Sequence, residues 1–360
     1  MLGQQSQDLL DRRMLCLERR RHELESVVEI LGTADRRVVD NAGAVVAQLG
    51  DLAECSDTAA LLAGVAISAE QRTEAESIRA QINRAKVLRT AARDPEVADL
   101  VMTLEPRVQA LAYDPITTEW TYMRASVEAD QGNSANAIAR LYEAARVAAA
   151  SNTTWIEPVI WLALVRLVGT QVDRPLELPP LVKAAEIAVA RAGDKPTDRA
   201  ALALAVGMQE LNRGELVVAE TRLRDAAAIL TELRGADHPE TLEARELLAL
   251  TLHGQREYDE AETILIAVAD GIERTLGATH PRMGTVVANL GRVQAARGDL
   301  EGARKTYMRA IVALEAGGPR APSRRDRSCE PRDDAAQARS LRRGRSGDRS
   351  RSRDRAQAVR

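Results

Sequence analysis

Phenylalanine is absent from this chain, and aromatic residues make up only 2% of it although 45% is hydrophobic. Ala, Leu and Val must supply the core, which suits closely packed helices better than sheets, whose pleated faces favour aromatic and β-branched side chains. No apolar run reaches the roughly 18 residues of a membrane span, and the N-terminus lacks the apolar stretch of a signal peptide. As written, the chain is expected to stay in the cytoplasm. Cys16, Cys55 and Cys329 form no Cys-x-x-Cys, which excludes a zinc knuckle or redox motif. The four histidines, His22, His238, His253 and His280, are not clustered at ligand spacing, so neither metal nor cofactor is expected. Phosphate loops and Gly-x-Ser-x-Gly elbows are missing too. Paired carboxylates such as Glu243 and Glu246, or Asp259, Glu260 and Glu262, fall at helix starts or on solvated faces, where acids favour the helix dipole and water. No active site is legible.

What the sequence does have is an internal repeat with a step of 42 residues. Gly214, Arg256 and Gly298 are equivalent, as are Ala219, Ala261 and Ala303, then Leu223, Leu265 and Tyr307, then Ala226, Val268 and Ala310. The pairs His238-Pro239 and His280-Pro281 keep the same step, so whole helix-loop-helix units are copied. Each proline is placed for a first helical position, which makes His238 and His280 turn residues. A repeat of this length builds a solenoid, which buries its apolar faces between neighbours and not around one centre. Within the last unit, Val287, Leu290 and Gly291 precede Gly298, and Ala303, Tyr307 and Ala310 follow it.

These offsets resemble tetratricopeptide repeats, and the long step resembles the kinesin-light-chain-like variety, in which eight extra residues lengthen the connection between units. Leu276-Gly277-Ala278-Thr279-His280-Pro281 matches that connection well, and Leu233 to Pro239 less fully. Upstream, Gly132, Ala137, Leu141 and Ala144 keep the offsets, as do Arg93, Ala98 and Met102. Val172, Leu181 and Ala184 read as a degraded copy interrupted by Pro175, Pro179 and Pro180, which should break or delay a helix. The expected fold is all-α: a tetratricopeptide-repeat α-solenoid of about six right-handed stacked units over residues 67–316. Around it stand an N-terminal helical segment over 1–66 and a disordered tail over 317–360.

In the N-terminal segment, Leu9, Leu10, Met14, Leu17, Leu24, Val27, Val28 and Leu31 trace a helical stripe. Gly32-Thr33-Ala34-Asp35 is a stop and a cap, and Val38, Val39, Ala42, Val45 and Val46 begin a second stripe, so a helical hairpin is expected. Met14-Leu15-Cys16-Leu17 with Arg19 to Arg21, Ala34-Asp35 with Val38-Val39, and Leu52-Ala53-Glu54-Cys55-Ser56-Asp57 resemble the segment that joins kinase to repeats in a group of bacterial serine/threonine protein kinases. The resemblance implies a signalling role. It does not imply catalysis here, because the chain lacks the Gly-rich loop, the strand lysine and the His-Arg-Asp loop, and Asp-Phe-Gly is impossible without Phe. A truncated reading frame carrying only the repeat region is the expectation at Met1. In that group a membrane span often precedes the repeats, which would place them outside the cytoplasmic membrane. Cys16 and Cys55 can meet across the hairpin and read as buried thiols, with a disulfide as the alternative if that location holds.

Residues 317–360 contain fourteen Arg, no Lys and six acids, so this stretch carries about +8 and residues 1–316 about −11. Such a sequence has no apolar periodicity with which to fold. The repeat stops after Leu314-Glu315-Ala316, where Gly317-Gly318-Pro319 stands in place of a further connection. An off-frame tail without selected function is the first reading, a solvated linker the second and a polyanion-binding arm the third. No aromatic interleaves the arginines, so base stacking is not expected and nucleic acid is disfavoured as a partner.

In a tetratricopeptide array the first helix of each unit lines a concave groove. By register, that lining is expected at Glu243, Glu246, Leu250, His253, Thr285, Ala288, Arg292 and Ala295, with Asn289 beside it at the family's common Asn. The set lacks the Lys and Asn pattern of a carboxylate clamp, which disfavours a chaperone C-terminus. It suits a protein or peptide with apolar anchors and some basic charge. The reading is a non-catalytic protein-interaction or sensing module of a bacterial signalling kinase. A free-standing scaffold or adaptor is one alternative, and a regulator touching nucleic acid through its Arg-rich tail is another.

Overall fold

The computed structural model describes residues 7–50, 52–56, 58, 68–170 and 177–316. The expectation of a disordered tail over 317–360 lies outside these residues, as do Val172 and Pro175. Every regular element among the described residues is helical. The N-terminal part consists of α1 (Gln7–Gly32), α2 (Arg36–Asp40), α3 (Ala42–Val46) and a short 3-10 turn (Leu52–Ser56). Six helix pairs follow. They are α4 (Ala69–Thr90) with α5 (Asp94–Leu111), α6 (Asp114–Asp130) with α7 (Ser134–Ala150), and α8 (Glu157–Gly169) with α9 (Leu178–Arg191). Next come α10 (Pro196–Arg213) with α11 (Leu216–Arg234), α12 (Pro239–Gln255) with α13 (Tyr258–Leu276), and α14 (Pro281–Arg297) with α15 (Leu300–Ala316). The arrangement is a tetratricopeptide-type solenoid.

The turn inside each of the last three pairs falls on the repeat column. Gly214, Arg256 and Gly298 all adopt the left-handed conformation, with φ of 80°, 71° and 99°. Glycine does this at no steric cost, whereas Arg256 gives up about 1 kcal/mol for its Cβ. The flanking helices run 17 to 19 residues. His238 and His280 are N-caps whose Nδ1 atoms accept from the backbone N–H of Glu240 at 3.3 Å and of Arg282 at 3.2 Å. Proline follows each at the first helical position, where its missing N–H costs nothing.

Two units depart from the expected register. In the first pair the left-handed residue is Ala92, not Arg93, and the buried column is Val97, Val101 and Leu104. Ala98 and Met102 fall outside it, Met102 being exposed. Burying three branched residues at i, i+4 and i+7, each worth roughly 1.5–3 kcal/mol, decides against the alternative frame. In the third pair, Pro179 and Pro180 sit in the first turn of α9, which therefore starts late. The buried column there is Leu181, Ala185 and Ala188, one turn further on than Leu181 and Ala184 imply.

Buried residues form three contiguous groups that follow the chain, one from Val27 to Met123, one from Ala125 to Val206 and one from Ala200 to Ala313. Each pair is thus completed by its neighbours. Close approach depends on small residues facing large ones. A Cβ on Gly207 would lie 2.6 Å from Leu223 Cγ, and one on Gly291 would lie 2.9 Å from Tyr307 Cε1. In the middle repeat the same columns hold Ala249 and Leu265, both fully buried.

The N-terminal segment differs from a plain hairpin. Asp35 caps α2 by accepting from Val38 N–H at 3.0 Å, but Asn41, at φ −108° and ψ 5°, breaks the second arm into two five-residue helices. Val27 and Ile30 of α1, with Val38 and Val45, pack on Ile78 and Ile82 of α4. Cys16 and Cys55 form a disulfide with their Cα atoms 5.5 Å apart, which corrects the reading of two buried thiols. It staples the 3-10 turn to α1. Spacing allowed the approach, but its chemistry was not legible. Gly50 lies against the guanidinium of Arg20.

Two outcomes are expected. Denatured without reductant, the chain should present one titratable thiol, that of Cys329, and three after reduction; three from the start would refute the bridge. Gly291→Ala should lower the melting temperature, because overpacking against Tyr307 costs about 1–3 kcal/mol and outweighs the roughly 1 kcal/mol gained in helix propensity. In a Tyr307→Leu background the same change should be neutral or stabilising, reproducing the Ala249 and Leu265 pair. Additive effects in this double-mutant cycle would show that the two sites are not in conflict.

Candidate groove on the first helices

The first helices of the array's first two pairs and of its last two pairs are cross-linked by polar side chains. At its far end Asn289 Nδ2 on α14 donates to Glu246 Oε1 on α12 at 3.0 Å. Arg282, also on α14, lies 3.8 Å from Glu246 Oε2 and donates to the Pro239 carbonyl at 3.4 and 3.5 Å. Glu246 and Asn289, both named from the register, are therefore brought together as a contact between successive first helices. Both are half-buried. Arg282 completes the contact, and no periodic signal in the sequence singled it out.

The other register positions form a graded surface. Thr285 and Arg292 are exposed, whereas Glu243, Leu250, His253, Ala288 and Ala295 are half-buried. His253 lies against the Tyr258 ring, with centroids 5.8 Å apart. Its burial, and then the charge of Arg292, disfavour the imidazolium and hold its pKa below the ordinary histidine value. Leu250 offers apolar surface on the same helix as Glu243 and Glu246.

At the near end of the array the same kind of cross-link is more buried. Arg79 on α4 donates to Glu119 on α6 at 2.8 Å and to Glu76 at 2.8 Å, and Arg19 on α1 reaches Glu76 at 2.6 Å. Burial alone would disfavour the charge on Arg79, but Glu119 and Glu76 outweigh it and raise its pKa. Arg89 donates to Asp130 at 2.7 Å one repeat apart. These pairs lie 40 to 43 residues apart in sequence, as Asn289 and Glu246 do. Complementary side chains one repeat apart were the available signal.

One contact joins distant parts of the chain. His280 Nε2 lies 2.9 Å from the Asp40 carbonyl oxygen, across 240 residues. Because His280 Nδ1 already accepts from Arg282 N–H, Nε2 carries the proton and donates, so one neutral tautomer satisfies both bonds. Gly43 approaches the same connection, where a Cβ would be 3.5 Å from Leu276 Cδ2. The α2–α3 segment therefore touches the start of α14.

Among the described residues no cluster of three His, Cys, Asp or Glu is placed to hold a metal, and no helix is long and apolar enough to cross a membrane. The class that fold and ridge define is an α-solenoid of tetratricopeptide repeats. Tetratricopeptide-repeat sequence profiles match residues 198–265 and 246–316, and a second such profile matches 108–153. Solved structures similar to the chain include BtubC (BKLC) from P. vanneervenii, at 17% identity over 71% of this chain and 95% of that one, with a TM-score of 0.46. A putative kinesin light chain from Podosopora anserina with nearly identical TPR-like repeats matches at 17% identity over 71% of this chain and all of that one, TM-score 0.34. A variant of that protein matches at 16% identity over 69% and 97%, also with a TM-score of 0.34. No curated protein matches significantly in sequence.

The low pKa of His253 has a consequence for stability. The unfolded chain binds a proton near pH 6.5 that the folded chain resists, so stability is full above that pH and falls as the solution is acidified through it. His238 acts in the same direction, through burial and then the Arg234 charge. The melting temperature should decline between about pH 7.5 and 5.5, and His253→Gln should flatten part of that decline. An unchanged slope in the variant would remove His253 from the account.

Proposed function

We propose that the chain is a protein-interaction module whose first-helix ridge takes an extended or helical peptide with apolar anchors and some basic charge. Tetratricopeptide repeats are binding scaffolds, and the observation that carries the reading is the graded surface around Leu250, His253 and Arg292 beside a ridge fixed by Glu246, Asn289 and Arg282. The ridge is rigid before a partner arrives, which lowers the cost of ordering on binding. Carboxylates at Glu243 and Glu246 and the acidic charge of about −11 over residues 1–316 favour a basic ligand.

We further infer that this module is the non-catalytic, sensing region of a bacterial serine/threonine kinase system. The support is the N-terminal sequence resemblance. The Cys16–Cys55 bridge favours the extracytoplasmic alternative, since disulfides persist in oxidising compartments. A free-standing adaptor is the second reading. A nucleic-acid regulator would put its affinity on the Arg-rich stretch after Ala316.

The test is a peptide selected from a displayed library against the full chain and measured by calorimetry. Leu250→Asp should weaken it at least about tenfold, because interface anchors carry most of the binding energy, whereas Arg292→Glu should tighten it, because a carboxylate replaces a cation beside a basic ligand. Arg304→Glu, on the exposed face of α15, should leave it unchanged. Equal affinity for all variants would place binding elsewhere. Glu246 is a poorer probe, because its loss also disturbs the ridge. A chain ending at Ala316 should keep the peptide, and ATP with magnesium should not bind. Phosphate transfer by the purified chain would overturn the non-catalytic reading.

A further inference from the structure

Helix α1 has two apolar faces, and only one is used by the fold. Cys16, Val27 and Ile30 are buried, the last two packing on the array. On the outward side Leu10, Met14, Leu17, Leu24 and Val28 are 43–59% exposed. Scattered exposed apolar residues are ordinary on a protein surface. These are not scattered. With Arg21 they follow one another at steps of four, three, four, three and four, the seam of a two-stranded coiled coil.

We propose that this seam binds α1 of a second copy, making a parallel homodimer. In heptad terms Leu10, Leu17 and Leu24 hold one seam position, d, and Met14, Arg21 and Val28 hold the other, a. Leucine at d, β-branched Val28 at a and a single charged residue at a are choices that favour two parallel strands. The flanks decide orientation. Asp11, Glu18 and Glu25 line one side of the seam, and Arg13 and Arg20 the other. Parallel helices bring each acidic flank against the basic flank of the second copy, Arg13 facing Glu18 and Arg20 facing Glu25. Antiparallel helices would set acids against acids and arginines against arginines. Arg21 is bound by Glu18 and Glu25 of its own helix, which neutralises it within the seam. The array lies on the flank that carries Val27 and Ile30, so a two-fold axis along the helices puts the two arrays on opposite sides. Because α1 is already folded on α4, little ordering entropy opposes association.

Sedimentation equilibrium of the full oxidised chain tests this. The chain should be a dimer at micromolar concentration, and Leu17→Glu with Leu24→Glu should weaken association at least about a hundredfold. Circular dichroism and the Cys16–Cys55 bridge should be unchanged, because both positions face outward. Arg21→Leu should tighten the dimer, since a charged a position costs stability. In a Cys329→Ser background, Leu24→Cys should cross-link to itself, whereas a mixture of Leu10→Cys and Val28→Cys chains should not. Cross-linking only in the mixture would overturn the parallel arrangement. A monomer at all concentrations up to roughly 100 μM would overturn the proposal. That result is expected if the apolar stretch of residues 59–67 in the same chain, or a foreign helix, is the true occupant.

Discussion

A helix pair of some 35 residues cannot bury its own apolar face, and the rest of the molecule follows from that constraint. Each pair here is completed by the first helix of the next, which is why the buried residues form groups that run along the chain. Close approach then becomes the critical variable. Gly207 and Gly291 let Leu223 and Tyr307 enter, and where Ala249 replaces glycine the partner column holds Leu265, slimmer than Tyr307.

The same constraint fixes what the surface can do. Successive first helices lie side by side, so polar side chains one repeat apart meet, as Arg79 meets Glu119 and Asn289 meets Glu246. Arg292 and Thr285 stay exposed and Leu250 half-buried beside these bonds, so they are the side chains left over for the proposed ligand.

Much of this was legible because repetition amplifies weak signals. One glycine says little, but Gly214, Arg256 and Gly298 at a fixed step located three turns, and the structure gives Arg256 the left-handed conformation of the two glycines. The step failed where a local preference was stronger. Pro179 and Pro180 delayed α9 by a turn, and the branched residues Val97, Val101 and Leu104 drew the first pair into a frame one residue earlier. Contacts across hundreds of residues left no periodic trace at all. His280 was legible as a turn residue, but its bond to Asp40 depends on how six units bring two ends of the chain together. The candidate groove sits between these cases: its positions come from register, whereas the bond that ties Glu246 to Asn289 comes only from the fold.

In a nearest-neighbour array stability depends on how the ends are finished. At the near end α1 covers the first pair, the disulfide fastens the following turn to α1, and Arg19, Glu76, Arg79 and Glu119 tie three helices together. At the far end Tyr307 and Leu314 are 38% and 45% exposed, although their equivalents Leu265 and Ile272 are fully buried beneath a following first helix. The Asp40 bond to His280 reaches the cap of α14 but does not cover α15. Local opening therefore has its lowest cost in α15 and rises toward α4.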